Sequence, residues 1–409
     1  MSNERIVVGV DVGTTKVCAL IAEVSADDHL EVIGTGIVPS RGMKKAVVVN
    51  PEDVVESIVS AVSKAEQQSG FKIVSAFVGL SGAHINTQTS QGVVAVRHPD
   101  RQISPDDVQR ALEAARVVNV PGDREIVHVL PKHYVVDGQN GIKNPIGMLG
   151  HRIEVQTTIV SGAMTSVSNL VRCVERAGIG IDSLVLESVA AGEAVLTEAE
   201  RDIGVTLIDI GAGTTDVGVF VEGALVFACV LPIGGYQVSN DLAVGLRTPF
   251  AAAEEIKIRH GYALPELLEN DRTIDVSAFD TGDGRPVSRR QVSEIIEPRL
   301  EETFELAIQQ LDRAGLRGLP AGVVLCGGTA QLGGIRRLAA EVFRSAVRLG
   351  TPAGIYGLTD QISTPAFATS VGLLKWGLDQ EFEPSSGRGR LALSGIGTAV
   401  TNWLRNFLP

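Results

Sequence analysis

The stretch Val10-Asp11-Val12-Gly13-Thr14-Thr15-Lys16-Val17 ends an apolar run in an aspartate, turns through Gly-Thr-Thr and leaves on a second apolar run. It returns, in a longer copy, as Ile208-Asp209-Ile210-Gly211-Ala212-Gly213-Thr214-Thr215-Asp216-Val217. Two apolar runs joined by a short glycine turn predict a β-hairpin. Two copies about 200 residues apart predict two similar lobes, each carrying the same turn.

Each turn would present backbone N–H groups and hydroxyls around a concave loop, and glycine lets an anion approach the main chain. Phosphates suit that geometry. Asp11 and Asp209, at the strand ends, would hold a divalent cation through its waters, because Mg²⁺ dehydrates reluctantly and is gripped by one or two carboxylates plus phosphates. Lys16 would bring a positive charge to the same phosphates. A lone turn of this kind is an ordinary tight hairpin, but two copies with matched aspartates point to nucleotide. The chain has no GxxxxGKS or GxxxxGKT loop, and the Gly211-Ala212-Gly213 loop has Asp216 where a dinucleotide fingerprint wants its third glycine. A third element, Val323-Val324-Leu325-Cys326-Gly327-Gly328-Thr329 running on to Gly333-Gly334-Ile335, is a buried strand that breaks into glycines before a helix. Such a junction packs flat against a base or ribose, or is a structural turn.

Outward from these motifs, strand and helix alternate. The β-branched runs 6–10, 17–24 and 30–36 predict strands. Asn50-Pro51-Glu52-Asp53 predicts a capped helix with Val54, Val55, Ile58, Val59 and Val62 on one face and a stop at Gly70. A strand over 73–78, a second capped helix from Ser104-Pro105 and a third over 165–177, ended by Gly178, make the architecture mixed α/β. The more polar stretch 84–162 interrupts the first lobe as an inserted subdomain, and a second interruption runs from about 234 to 298. Beyond Leu378 the composition turns to that of a linker.

At 409 residues the chain predicts about two to four structural units and a sizeable core. Its 36 basic and 48 acidic residues leave a net charge of −12, which argues against non-specific nucleic-acid binding by the body, since that runs on clustered Lys and Arg. Cys18, Cys173, Cys229 and Cys326 stand singly, without chelating or redox spacing, and read as reduced core residues of a cytosolic protein. The first apolar run is too short for a signal peptide, and no window is apolar enough to span a membrane.

The doubled hairpin, the 323–335 junction and the small-residue helices Glu187-Ser188-Val189-Ala190-Ala191-Gly192-Glu193-Ala194 and Ala366-Phe367-Ala368-Thr369-Ser370-Val371-Gly372 together resemble the five motifs of the actin, Hsp70 and sugar-kinase ATPase superfamily. Within it, Pro121-Gly122-Asp123-Arg124-Glu125-Ile126-Val127-His128, Val135-Val136-Asp137-Gly138-Gln139, Gly141-Ile142-Lys143-Asn144-Pro145-Ile146-Gly147-Met148 and Gly234-Gly235 leading to Asn240-Asp241-Leu242-Ala243 resemble the FtsA family of bacterial division proteins. The resemblance implies an actin-like two-lobed α/β fold with duplicated mixed β-sheet cores and two inserted subdomains. Its parts would be a lobe 1 core (1–83 and 163–196), an SHS2-like insert (84–162) in place of actin's small subdomain, a lobe 2 core (197–233 and 299–379), a lobe 2 insert (234–298), a flexible linker (380–395) and a terminal helix (396–409).

The family also implies ATP with Mg²⁺ between the lobes and at most weak ATPase activity. Carried over by motif, Asp11, Gly13, Thr14, Thr15 and Lys16 would meet the phosphates from one side and Asp209, Gly211, Gly213, Thr214 and Thr215 from the other. Gly234, Gly235, Glu254, Lys257, Gly327 and Gly328 would line the nucleoside side. Family aside, Glu254 and Lys257, three apart on a helix, make a solvated salt bridge. Glu187 stands where relatives hold a water-positioning residue; stabilising a helix N-terminus is its other reading. Ala212, Cys326 and Ala228-Cys229 depart from the family pattern at positions that bear on nucleotide affinity.

The tail is amphipathic: Ile396, Val400, Trp403, Leu404, Phe407 and Leu408 share one helical face, and Thr401, Asn402, Arg405 and Asn406 take the other. With Arg388 and Arg390 upstream, it suits an anionic lipid surface, or else docks back on its own domain. The family resemblance favours the membrane. Six such side chains give on the order of 10 kcal/mol if fully buried, roughly halved by partial insertion, so one copy binds marginally and a filament binds stably. The resemblance further implies self-association into filaments, docking of the FtsZ C-terminal peptide on the second insert, with Arg247, Lys257, Arg259, Arg285, Arg289 and Arg290 meeting its acids, recruitment of later division proteins, and residence on the cytoplasmic membrane face at the septum. A sugar kinase would need a further catalytic acid, an Hsp70-type chaperone a large C-terminal domain, and a pilus-assembly homologue would lack the tail.

Overall fold

In the computed structural model, residues 5–98, 100–268, 271–275 and 286–382 are described; the expected tail helix (Ile396, Val400, Trp403, Leu404, Phe407, Leu408) and Arg285 lie outside them. The chain opens with β1 (Arg5–Val12), β2 (Lys16–Val24) and β3 (Leu30–Pro39), an antiparallel meander. A tight hairpin of β4 (Met43–Lys44) and β5 (Val47–Val48) leads into α1 (Pro51–Ser69). Gly70 ends α1 at φ 78, as its sequence predicts. Asn50 does not cap the helix: its Nδ2 donates to Asp53 at 2.7 Å. The buried face is Val54, Ser57, Ile58, Ala61, Val62 and Ala65, so Val59, expected on it, is 42% exposed. The 3.6-residue period fixed by Val54, Ile58 and Val62 turns position 59 outward.

After β6 (Ser75–Leu80), parallel to β1, comes a separate four-stranded sheet. It contains β7 (Asn86–Ala95), β8 (Arg124–Val136), β9 (Gln139–Ile142) and β10 (Arg152–Ala163), with α2 (Pro105–Arg116) after β7 packed on one face. Ser104 and Asp107 form a reciprocal capping box at the α2 start. The chain returns through α3 (Met164–Arg176), β11 (Gly180–Leu186) and α4 (Glu187–Val195), then crosses to α5 (Glu198–Ile203). A second meander follows, β12 (Val205–Ile210), β13 (Thr215–Val221) and β14 (Ala224–Leu231). Next come α6 (Gly235–Leu246), α7 (Phe250–His260), the ribbon β15 (Thr273–Asp275) and β16 (Pro286–Ser288), and the long α8 (Arg289–Ala314). The chain then runs through β17 (Val323–Cys326), α9 (Ile335–Phe343), β18 (Val347–Leu349), β19 (Ile355–Gly357) and α10 (Ala368–Phe382).

The two main sheets repeat one topology. The first runs β11-β6-β1-β2-β3-β19 and the second β14-β13-β12-β17-β18, so β6-β1-β2-β3 matches β17-β12-β13-β14. The two hairpins are also equal in length. Asp11 pairs with Cys18 and Asp209 with Asp216, and the N–H of Gly13 and of Gly211 donates at 2.9 Å to the carbonyl three residues on. The expectation of a longer second copy therefore fails, because the Thr-Thr pairs are not equivalent: Thr214 occupies the place of Lys16.

One apolar cluster runs from the first main sheet into one face of the second (Leu207, Phe220, Val324), another fills the second sheet's other face (Ile208, Val219, Leu325), and the insert sheet has its own. One expected boundary is corrected. The end of the 299–379 segment leaves the second lobe: β19 pairs with β3, and α10 packs on β1 and α4. Gly372 permits that approach, since a Cβ there would meet the Ala190 carbonyl oxygen at 1.7 Å. No helix among the described residues is long and apolar enough to cross a membrane.

Candidate functional site

The two hairpins face a cavity of about 720 Å³, within the size range of small-molecule sites. Of the residues expected there, Asp11, Gly13, Thr14, Thr15, Lys16, Glu187, Asp209, Gly211, Gly213, Thr214, Glu254, Lys257, Gly327 and Gly328 line it. Thr215, Gly234 and Gly235 do not. Thr215 is fully buried and donates to the Ile233 carbonyl at 2.8 Å, because the strand alternation that turns Thr214 to the cavity turns its neighbour away. Gly234 and Gly235 stand behind the second hairpin, where the N–H groups of Gly235 and Tyr236 donate to the Gly211 and Ala212 carbonyls at 3.0 and 2.7 Å.

That backing has a consequence for the loop. In a trans peptide the C=O and the next N–H point opposite ways, so the Ala212 and Gly213 N–H groups are aimed away from α6. Ala212 and Gly213 line the cavity, and the loop offers it amide hydrogens. Lys45 and Ala46, both at positive φ, bring the β4–β5 turn to the same mouth, where Thr14 Oγ1 accepts the Ala46 N–H at 3.3 Å. A Cβ on Gly213 would stand 2.5 Å from Thr14 Oγ1, so the two lobes meet there.

Four carboxylates gather beneath. The first turn of α10 lies between the lobes, and its hydroxyls hold two of them: Ser370 donates to Asp11 at 2.7 Å and Thr369 to Asp209 at 3.1 Å. Lys16 Nζ lies 3.8 Å from Asp11 Oδ2 and donates to the Ala366 carbonyl at 2.5 Å. Asp216, buried behind the cavity, accepts from Ser81 at 2.6 Å. Burial pushes Asp209 up to about 6, against the pull of Lys16, and Asp216 up to about 7, with Asp209 adding to it. Glu187, the first residue of α4, is raised well above the carboxylate range by burial and by Asp216, Asp11 and Asp209. Acids crowded this way, with one lysine facing them, lack positive charge. Asp11 and Asp209 fit a hydrated divalent cation shared with phosphates, and among the described residues no three acidic, His or Cys side chains form a direct metal cage.

At the other end, Lys257 Nζ donates to Glu254 at 2.8 Å and to the Gly235 carbonyl at 3.0 Å, and Ser239 also donates to Glu254. Lys257 is buried, and desolvation lowers its pKa, so the pair is not a solvated surface bridge. Tyr262 and Arg289 complete this wall, with the guanidinium 5.5 Å over the phenol ring. No local motif marked Tyr262 or Ala46; Arg289 was expected to meet the FtsZ peptide instead, and Thr369 and Ser370 stood in the 366–372 motif without an assigned role. Cys18, Cys173 and Cys326 are buried as expected, whereas Cys229 is only half-buried.

Comparisons with known proteins fit this geometry. The pattern of the cell division protein FtsA matches residues 206–372, and that of the SHS2 domain inserted in FtsA matches 82–161. The cell division protein FtsA of Pseudomonas aeruginosa is 46% identical over 383 residues, 93% of this chain and 91% of that protein. That of Neisseria meningitidis is 38% identical over 410 residues, 98% of this chain and 99% of that protein. Among solved structures, a PilM-PilN type IV pilus biogenesis complex aligns at TM-score 0.65 and 16% identity, covering 91% of this chain and 98% of that one. MreB5 of Spiroplasma citri bound to ADP aligns at 0.54 and 13%, covering 93% and 96%. A MamK double helical filament aligns at 0.51 and 12%, covering 91% and 98%. The fold is actin-like, and over nearly its whole length the chain belongs to the FtsA family of cell division proteins.

Proposed function

We propose that the interlobe cavity binds ATP with Mg²⁺ and that the protein is a nucleotide-controlled, self-associating tether between the FtsZ polymer and the cytoplasmic membrane at the septum. The observation that carries the reading is the facing of two duplicated hairpins, whose Asp11 and Asp209 converge on one cavity under the first turn of α10. Asp11 and Asp209 would hold the cation through its waters. The amides of Ala212 and Gly213, the Thr14, Thr15 and Thr214 hydroxyls and Lys16 would hold phosphate oxygens, and Glu254, Lys257, Gly327 and Gly328 would flank the nucleoside. Bound Mg²⁺ would supply the positive charge that the four acids lack. Glu187 would orient an attacking water. Burial and the neighbouring Asp216, Asp11 and Asp209 raise its pKa and so disfavour the ionised form, which a bound cation would favour.

Membrane attachment would rest on Ile396, Val400, Trp403, Leu404, Phe407 and Leu408, made firm by filament formation. Later division proteins would gather on the assembled polymer. For the FtsZ C-terminal peptide, the second insert offers the exposed Arg247 and Arg290, since Lys257 and Arg289 are committed to the cavity. Sedimentation with anionic vesicles tests the whole reading. ATP should increase the bound fraction, and FtsZ should pellet only when this protein is present. Lipid binding indifferent to ATP, with FtsZ left in solution, would contradict it.

A further inference from the structure

The insert sheet touches both lobes. On the first, His128 of β8 accepts the Leu186 N–H at 3.0 Å where β11 passes into α4. On the second, it covers the open edge of β14. Thr87 Oγ1 donates to the Ala228 carbonyl at 3.1 Å and accepts the Ala228 N–H at 3.3 Å, which does for one residue what a paired strand would do. Thr158 Oγ1, also buried, donates to the Leu225 carbonyl at 2.7 Å. Thr87 pairs with Val160 and Thr89 with Thr158, so both hydroxyls stand on one face of the insert sheet. Beside them lies a gap of about 460 Å³ lined by Leu130, Val189, Phe220 and Trp376. The hydrogen bonds thus run along an apolar contact that takes in Val160, Leu130, Leu225 and Ala228, next to a space.

The backbone passes between the main sheets at 196–204 and again at 350–354. Thr14 and Gly213 meet at the mouth of the cavity. A lobe rotation that parts them moves β14 relative to a sheet whose chain ends are both fixed to the first lobe. We propose that the insert is a strap across the two lobes: seated on β14 through Thr87 and Thr158, it holds the cavity closed and must slip for it to open. Nucleotide release is then gated by whatever grips the insert, because coupling between two sites is reciprocal.

The inference borrows the nucleotide reading only for its release assay. The full chain is compared with Thr87→Val, Thr158→Val, the double variant and Thr89→Val. The last is a control, since Thr89 accepts from Lys132 and is not bonded to β14. Amide hydrogen exchange at Ala228 and across 350–354 is followed without nucleotide, and release of a fluorescent ATP analogue is timed. The double variant should exchange faster at both places and release the analogue roughly tenfold faster, as expected for two hydrogen bonds made only in the closed form, while each single variant falls between. The control should match the wild type. Exchange across 350–354 unchanged in a double variant that melts like the wild type overturns the strap. If no variant retains the analogue but exchange still rises, the strap stands and the nucleotide reading fails.

Discussion

A Cβ on Gly327 would stand 2.3 Å from Asp209 Oδ1 and 2.4 Å from the Ile210 carbonyl oxygen, at a φ of +90° that side chains rarely adopt. The glycine at the end of β17 therefore fixes where the aspartate at the end of β12 sits. Gly327→Ala should cost about 1–3 kcal/mol of stability through backbone strain and abolish ATP binding by displacing Asp209. Gly328→Ala should leave the melting temperature unchanged, since its Cβ would meet no protein atom closer than Ala366 Cβ at 4.0 Å. Thermal melts of the two variants and ATP titration of Gly327→Ala check this; equal melting would contradict it.

His128, which does not line the cavity, gives a pH dependence of its own. Burial lowers it from 6.5 to about 4, and only the neutral ring accepts the Leu186 N–H. A base whose folded pKa is depressed contributes stability that is present above the unfolded pKa and lost as pH falls through the folded one. The loss should span pH 6.5 to 4 and reach about 3 kcal/mol. His128→Gln keeps an acceptor without titrating and should flatten that part of the curve. Denaturant unfolding at pH 7, 5.5 and 4 measures it, and parallel curves for both proteins would be the contrary result.

The tail prediction depends on an oriented face. Trp403→Glu with Phe407→Glu should release the protein from anionic vesicles without changing ATP affinity, whereas Asn402→Lys with Asn406→Lys should keep or strengthen attachment. Co-sedimentation of both double variants like the wild type would mean that the helix docks on its own domain.

Arg289 and Arg290 are adjacent but should separate by function. Arg290→Glu with Arg247→Glu should weaken binding of the acidic FtsZ peptide in a salt-dependent way. Arg289→Glu should instead lower ATP affinity, since its side chain lies over Tyr262 in the cavity wall and donates to the His260 carbonyl at 3.0 Å. Fluorescence anisotropy of the peptide and ATP titration of each variant distinguish the two; a peptide affinity lost with Arg289 alone would refute the division.

What could be read from the sequence was what is local. Asp11, Gly13 and Lys16 lie within one turn, as do Asp209 and Gly211, and β-branched runs mark their strands, so both hairpins were legible. Thr369 and Ser370 stood in the 366–372 motif, but their hydrogen bonds were not legible, because they reach Asp209 and Asp11 from 160 and 359 residues away. The Lys45-Ala46 turn was hidden because it adopts positive φ without the Asn or Gly that usually announces it. Thr215 was misplaced because counting a motif ignores the side to which a strand turns each residue. Asp216 stood in the second motif, but only the pairing with Asp209 reveals it as part of the acid cluster.

The central claim is that two facing hairpins make a nucleotide site, and calorimetric titration of the purified protein with ATP and Mg²⁺ tests it most directly. The wild type should bind one equivalent. Asp209→Ala removes a cation-holding carboxylate, and Gly213→Val drives a side chain into Thr14 Oγ1, 2.5 Å from the Cβ position. Both variants should stay folded and give no binding heat. Wild-type affinity in both would contradict the account, and the cavity between the lobes would then belong to some other ligand.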